Sequence, residues 1–131
     1  MTNPEDLKYT KEHVWVKIND NQVTVGITDN AQFLLGDVVF VELPDIGNTS
    51  IANESLARIE SVKAISDVIA PVGGKVIKSN TGLEASAELI NEDPYGEGWI
   101  AVLEISDITE LEELMSVEEY NNFLAEGEDQ S

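Results

Sequence analysis

From His13 to Ile27 the chain reads HVWVKINDNQVTVGI, an apolar and polar alternation broken by one polar turn and then resumed. Val14, Val16 and Ile18 share one face, and Val23, Val25 and Ile27 repeat it after the turn at Asn19 to Asn21. A period of two belongs to a pleated strand, so the stretch predicts a hairpin with one face in a core. Further strands are expected at Val38–Leu43, Ser55–Glu60, Ser66–Ala70, Lys75–Lys78 and Trp99–Ile105, separated by Pro and Gly turns. Between them, Asp29 and Gln32 are spaced as a capping box and Gly36 follows as a helix stop, which predicts a short helix over Asp29–Leu35. The tail carries two apolar stripes at helical spacing: Ile108, Leu111, Leu114 and Met115, then Val117, Tyr120 and Leu124 behind a Ser116/Glu119 capping box. The element order predicts a mainly β sandwich of sheets with peripheral helices. One domain is expected over residues 1–131, with 105–131 as an acidic helical tail packed on it.

Charge narrows the possible partners. Twenty-six Asp or Glu against seven Lys or Arg give a net charge of -19, which repels phosphate backbones and anionic headgroups, so neither nucleic acid nor a membrane surface is an expected partner. Glu104 to Ser131 alone carries ten acids and no base. No cysteine is present, so any sulfur chemistry has to be imported. MTNPEDLKYT has neither a signal-peptide nor a transit-peptide pattern, and the chain is expected to be a cytoplasmic monomer unless a presequence was removed.

Conventional catalysis finds little to work with. His13 is the only histidine and sits at a strand start, where a packing or backbone role is expected rather than a base. The carboxylates of EELMSVEEY fall on the solvent faces of helical stripes, and Gly96–Gly98 precede a strand rather than a helix, the wrong context for a phosphate cradle. Trp15 and Trp99 suit either a core or a partner surface. The unusual position is Lys63, alone in ARIESVKAISDVIAP and flanked by Glu60 and Asp67. The two strands around SVKA put it at a hairpin tip. An exposed, protonated lysine makes a poor Schiff-base catalyst but is well presented for acylation by another enzyme. Lys63 therefore reads as an attachment point.

ESVKAISDV resembles the lipoylation site of the glycine cleavage system H proteins. The segments LKYTKEH with WV, VGITDNAQFLLGDVVFVELPDIG, ESVKAISDVIAPVGGKV and ELINEDPYGEGW, with the acidic helical end, match that family in order and spacing. The resemblance implies a flattened barrel-sandwich hybrid of two antiparallel sheets, of the lipoyl/biotinyl type, with lipoate in amide linkage on Lys63. It implies recognition of the modification site through Glu60, Ser61, Val62, Ala64, Asp67 and Gly74, and docking of the arm by Glu12, Val14, Leu34 and Asp67. It also implies a non-catalytic carrier of the aminomethyl group of glycine. Its partners would be a pyridoxal-phosphate glycine decarboxylase, a tetrahydrofolate-dependent aminomethyltransferase and a flavin dihydrolipoyl dehydrogenase, with a lipoate ligase or a lipoyl or octanoyl transferase as the modifying enzyme. The family commonly has an acid after the histidine where this chain has Val14. If the strand reached back to Glu12, that residue would share the face of Val14 and could substitute in part. FLL at Phe33–Leu35 is also more apolar than the family's usual residues. A lipoate relay to other proteins, and an unmodified acidic adaptor for a basic partner, stay open as alternatives. Biotin carriage is disfavoured, because Val62 and Ala64 stand where methionines flank a biotinyl lysine.

Overall fold

The computed structural model describes residues 3–129; Gln130 and Ser131 of the expected tail lie outside the described residues. The strands in chain order are β1 (Lys8–Tyr9), β2 (Val14–Asn19), β3 (Gln22–Ile27), β4 (Val38–Glu42), β5 (Thr49–Ser50), β6 (Ser55–Ser61), β7 (Ile65–Ile69), β8 (Gly74–Ser79) and β9 (Ala101–Ile105). The helices are α1 (Asp29–Leu35), α2 (Gly82–Ala85), α3 (Leu89–Glu92) and α4 (Val117–Asp129), and a 3-10 helix covers Ile108–Glu113. Two antiparallel sheets result, one of six strands in the order β1-β2-β3-β9-β8-β5 and one of three in the order β4-β6-β7. They form a flattened sandwich and do not close into a barrel.

The expected hairpin is β2–β3, whose register runs from Val14↔Ile27 to Asn19↔Gln22. Asp20 takes a φ of 56° in the turn, a left-handed conformation that Asp tolerates better than most residues. Val14, Val16, Val23 and Val25 of the larger sheet pack against Val41, Ala57, Ile59 and Val68 of the smaller one. Fully burying each Val or Ile side chain stabilises by about 1.5–3 kcal/mol before conformational entropy is charged against it. Ile18 departs from its expected face partners: at the turn end of β2 it runs beyond the core and is 40% exposed.

Two other expectations shift by local geometry. Helix α1 is capped by Thr28, whose Oγ1 accepts from the Ala31 amide at 3.2 Å, while Gln32 Nε2 donates to Asp29 Oδ1 at 2.7 Å. The cap therefore lies one residue before the Asp29 of the expected capping box. In the tail, Ile108 is 68% exposed and only Leu111 and Leu114 of the first stripe pack on the main core. The reason is that a 3-10 helix does not align residues as an α-helix does, and it ends before Met115. Met115 instead exchanges backbone hydrogen bonds with Tyr9 at 2.8 and 2.9 Å. The second capping box forms as expected, with the Ser116 amide donating to Glu119 Oε1 and the Glu119 amide to Ser116 Oγ.

A second apolar cluster, built on Leu7, Tyr9, Trp15 and Tyr120, holds α4 against the outer face of the larger sheet. The rings of Tyr9 and Tyr120 stack with centroids 4.7 Å apart. The Trp15 ring lies across Gly26, its cross-strand partner, and its Nε1 donates to the Pro94 carbonyl at 2.9 Å, while Trp99 packs at the rim of the same cluster. At the inner end of α4 the Tyr120 hydroxyl lies 2.7 Å from His13 Nδ1 and 2.8 Å from Thr28 Oγ1. Burial lowers the His13 pKa against the raising effect of the Glu12 charge. Burial also pushes Tyr120 up to about 12, so this hydroxyl keeps its proton at any working pH.

Two outcomes follow from this packing. A Cβ on Gly26 would sit 2.6 Å from the Trp15 ring carbons, so Gly26→Ala is expected to cost about 1–3 kcal/mol of unfolding free energy in urea. An unchanged midpoint would mean that the indole moves freely. Because the folded chain binds the His13 proton less readily than the unfolded chain, its stability contribution is complete above about pH 6.5 and is lost as pH falls toward the lower folded value. Between about pH 7 and about pH 5.5, stability should therefore fall more in the wild type than in His13→Asn, a change that keeps a residue tolerant of positive φ. Equal slopes would contradict this.

Candidate functional site

Strand β6 is the middle strand of the smaller sheet, hydrogen-bonded to β4 on one side and β7 on the other. Its pairing with β7 runs Arg58↔Asp67, Ile59↔Ser66, Glu60↔Ile65, which leaves Ser61, Val62, Lys63 and Ala64 to make the turn. Ser61 closes this turn in several ways. Its amide donates to the Ala64 carbonyl at 2.8 Å, and its Oγ accepts from the Ala64 and Lys63 amides at 3.1 and 3.3 Å. The Val62 amide donates to the Asp37 carbonyl at 3.0 Å, tying the tip to the segment between α1 and β4. The lysine is thus exposed at its side chain and fixed at its backbone.

The stem of Lys63 crosses Gly36, where an added Cβ would lie 3.2 Å from Lys63 Cε. Gly36 also takes a φ of 81°, so its backbone calls for glycine there. Among the described residues the only ion pair joins Arg58 and Asp67 at 3.6 Å, so the Lys63 amine has no carboxylate partner. Ser55 Oγ also donates to Asp67 at 3.3 Å.

A groove of about 310 Å³ begins beside the tip at Ala64 and runs between α1 and β7. Ala31, Leu34 and Leu35 form one wall, Ile65 and Asp67 belong to the other, and Glu12 and His13 also line it. Beside the tip and the groove the chain leaves large apolar side chains in solvent, Phe33 and Leu34 of α1 and Val62 and Ile65 of the hairpin, and on the other side of β6 it also exposes Val39 and Phe40 of β4. The β4 pair owes its exposure to a register shift between Val38 and Phe40, which turns both outward from a strand that reads as nearly continuously apolar.

The structure brings Glu12, Leu34 and Asp67 to one groove but not Val14. Val14 is wholly buried in the main core, and the expected shared face with Glu12 fails because His13, between them, has a φ of 64° and strand β2 starts only after it. Gly74 belongs to the larger sheet, where it is squeezed between Ser50 and Ile105 and a Cβ would strike the Glu104 carbonyl oxygen. Glu60 is half-buried between Phe40 and Ile65. The sequence reading missed the Asp37 carbonyl that holds the tip, and it missed Arg58. Counting back from a tip centred between Val62 and Lys63 would have paired Arg58 with Asp67. No group of three or more His, Cys, Asp or Glu that could hold a metal occurs among the described residues, and no helix there is long and apolar enough to cross a membrane.

This geometry has close counterparts. The family model described as glycine cleavage H-protein matches residues 7–127. A glycine cleavage system H protein of Coprothermobacter proteolyticus is 58% identical over 123 residues, 93% of this chain and 97% of that protein. One from Staphylococcus saprophyticus is 49% identical over 126 residues, covering 96% of this chain and all of that one. The crystal structure of the Mycobacterium marinum glycine cleavage system H protein superposes with a TM-score of 0.82 at 37% identity, covering 92% of this chain and 97% of that one. With the family model spanning nearly its whole length and the same fold in a solved relative, the chain belongs to the glycine cleavage H-protein family.

Proposed function

We propose that this chain is the lipoyl carrier of a glycine cleavage system, that Lys63 is the residue acylated by lipoate, and that the chain itself catalyses nothing. The observation that carries this reading is the exposed, unpartnered amine of Lys63 on a turn fixed by Ser61 and Asp37, at the mouth of a groove with apolar walls. The residues fit such a group: the amine is open to a modifying enzyme, and a groove of about 310 Å³, at the small end of the range for ligand sites, starts one residue away. When bound, lipoate would supply the dithiolane sulfur chemistry that a cysteine-free chain lacks.

The chain's own part is presentation and shelter. Fixing the tip backbone lowers the entropy lost when a partner's site closes on the lysine. Leu34, Leu35 and Ile65 offer apolar surface that an arm lying in the groove would cover, and the Glu12 and Asp67 carboxylates favour a cationic amine within it through charge-assisted hydrogen bonds. Asp67 is shared with Arg58 in an exposed pair worth at most about 1 kcal/mol, which leaves it free to exchange partners. The apolar residues around the tip suit docking by the enzymes that would use the arm in turn: a glycine decarboxylase with pyridoxal phosphate, an aminomethyltransferase with tetrahydrofolate and a dihydrolipoyl dehydrogenase. A lipoate ligase or a lipoyl or octanoyl transferase would dock there first.

Incubation with lipoate ligase, ATP and lipoate should add one lipoyl mass at Lys63, and Lys63→Arg should abolish both the adduct and glycine exchange with purified partner enzymes while melting as the wild type does. An adduct at another lysine, or full exchange by the variant, would sink the assignment. Val62→Asp should slow acylation about tenfold or more, since an apolar side chain of this size covered by a partner is worth about 1.5–3 kcal/mol. Glu60→Ala and Asp67→Ala should change stability by less than about 1 kcal/mol. Wild-type acylation rates for Val62→Asp would move the docking face elsewhere.

A further inference from the structure

We propose that His13 is a hydrogen-bond donor to the occupant of the groove, and that Tyr120 of the C-terminal helix is the positioning residue that decides which ring nitrogen carries the proton. The proposal rests on the reading of Lys63 as the attachment point and adds to it a residue from the opposite end of the groove.

His13 takes a backbone conformation that few non-glycine residues adopt. His13 has a φ of 64° between β1 and β2, and strain of this kind persists only where the surroundings enforce it. Here its backbone amide donates to the Thr10 carbonyl at 3.1 Å, its carbonyl accepts from the Thr28 amide at 3.0 Å, and its ring packs edge-on to Tyr120. His13 lines the groove, and its ring also lies 6.0 Å from the Phe123 ring of α4.

The proton arrangement follows from counting donors. Thr28 Oγ1 already accepts the Ala31 amide of the α1 cap. Its hydroxyl proton then has one acceptor among the described residues, Tyr120 Oη at 2.8 Å, and the Tyr120 proton in turn has one acceptor, His13 Nδ1 at 2.7 Å. Run this way, every proton is used and the imidazole is neutral with its N–H on Nε2. Run the other way, the Thr28 proton is left without an acceptor on a fully buried side chain. Nε2 makes no hydrogen bond among the described residues, yet no buried side-chain nitrogen or oxygen there lacks a partner, so Nε2 is open to solvent on a residue that lines the groove. The charged groups near it are Glu12 on the same loop and Asp67 in the lining from β7. Both are acceptors, which suits them to hold cations. His13 therefore adds a neutral donor, complementary to an acceptor on a Lys63-linked chain such as an acyl carbonyl or a sulfur.

Because His13 is the only histidine, imidazole nitrogen spectra of the untagged chain labelled with ¹⁵N-histidine report on it alone. The unmodified wild type at neutral pH should show the proton on Nε2. Lipoylation of Lys63, verified by intact mass, should shift the Nε2 resonance and slow exchange of its proton. Tyr120→Phe keeps the ring that stacks on Tyr9 and so keeps the fold, but it should admit the Nδ1–H tautomer, raise the His13 titration midpoint and shrink the shift caused by lipoylation. A wild-type Nδ1–H tautomer would overturn the proposal. So would a lipoylated, uniformly ¹⁵N-labelled second sample whose Ala31 and Leu34 amides move while Nε2 does not, or one in which none of them moves. A chain that gains no lipoyl mass would overturn the carrier reading and the docking role together, whereas the tautomer in the unmodified chain decides the role of Tyr120 by itself.

Discussion

Presentation of the lysine depends on β6 being the middle strand of its sheet. Its backbone hydrogen bonds are filled on both sides, and Ala57 and Ile59 anchor its inner face in the core at 6% and 1% exposure. The strand therefore cannot slip by one residue without bringing Arg58 and Glu60 into the core, and burying such charges costs several kcal/mol each. That fixed register places Ser61 where it can bind the turn and Val62 where Asp37 can hold it. The rigidity of the tip is in this sense a property of the core, transmitted along one strand.

The parts of this architecture that were legible in sequence are those written in local patterns. Alternation from Val14 to Ile27 marks the β2–β3 hairpin, the Ser116 and Glu119 spacing marks the start of α4, and SVKA between two strands marks the tip. What was not legible depends on partners far apart in the chain or on a single unusual dihedral. Nothing near His13 announces Tyr120, 107 residues away, nor does any local signal show that the chain turns left-handed at position 13. Val38–Leu43 reads as a nearly continuous apolar strand, yet a register shift exposes Val39 and Phe40, and the reason for their exposure lies in the pairing with β6. Helix α1 shows a smaller failure of the same kind: Asp29 and Gln32 do bond to one another, but the backbone amide at the helix start is taken by Thr28.

The turn at His13 also settles how the groove gets its charge. A strand continuing through positions 12, 13 and 14 would put the first and third side chains on one face. Here the backbone reverses its handedness at the middle residue, so Glu12 lines the groove while Val14 is sealed in the core. A comparison that asks only whether position 14 is acidic concludes that the groove has lost a carboxylate. The fold instead supplies one from Glu12, across from Asp67 and next to an imidazole that burial keeps neutral. In a chain of net charge -19, a positive His13 would be the easy state to create at the surface, and it would attract the neighbouring carboxylates onto itself. Holding His13 neutral by burial keeps Glu12 and Asp67 available to the groove. The C-terminal helix, remote in sequence from Lys63, covers His13 through Tyr120 and Phe123 and thereby helps set the charge of the groove that starts beside the lysine's turn.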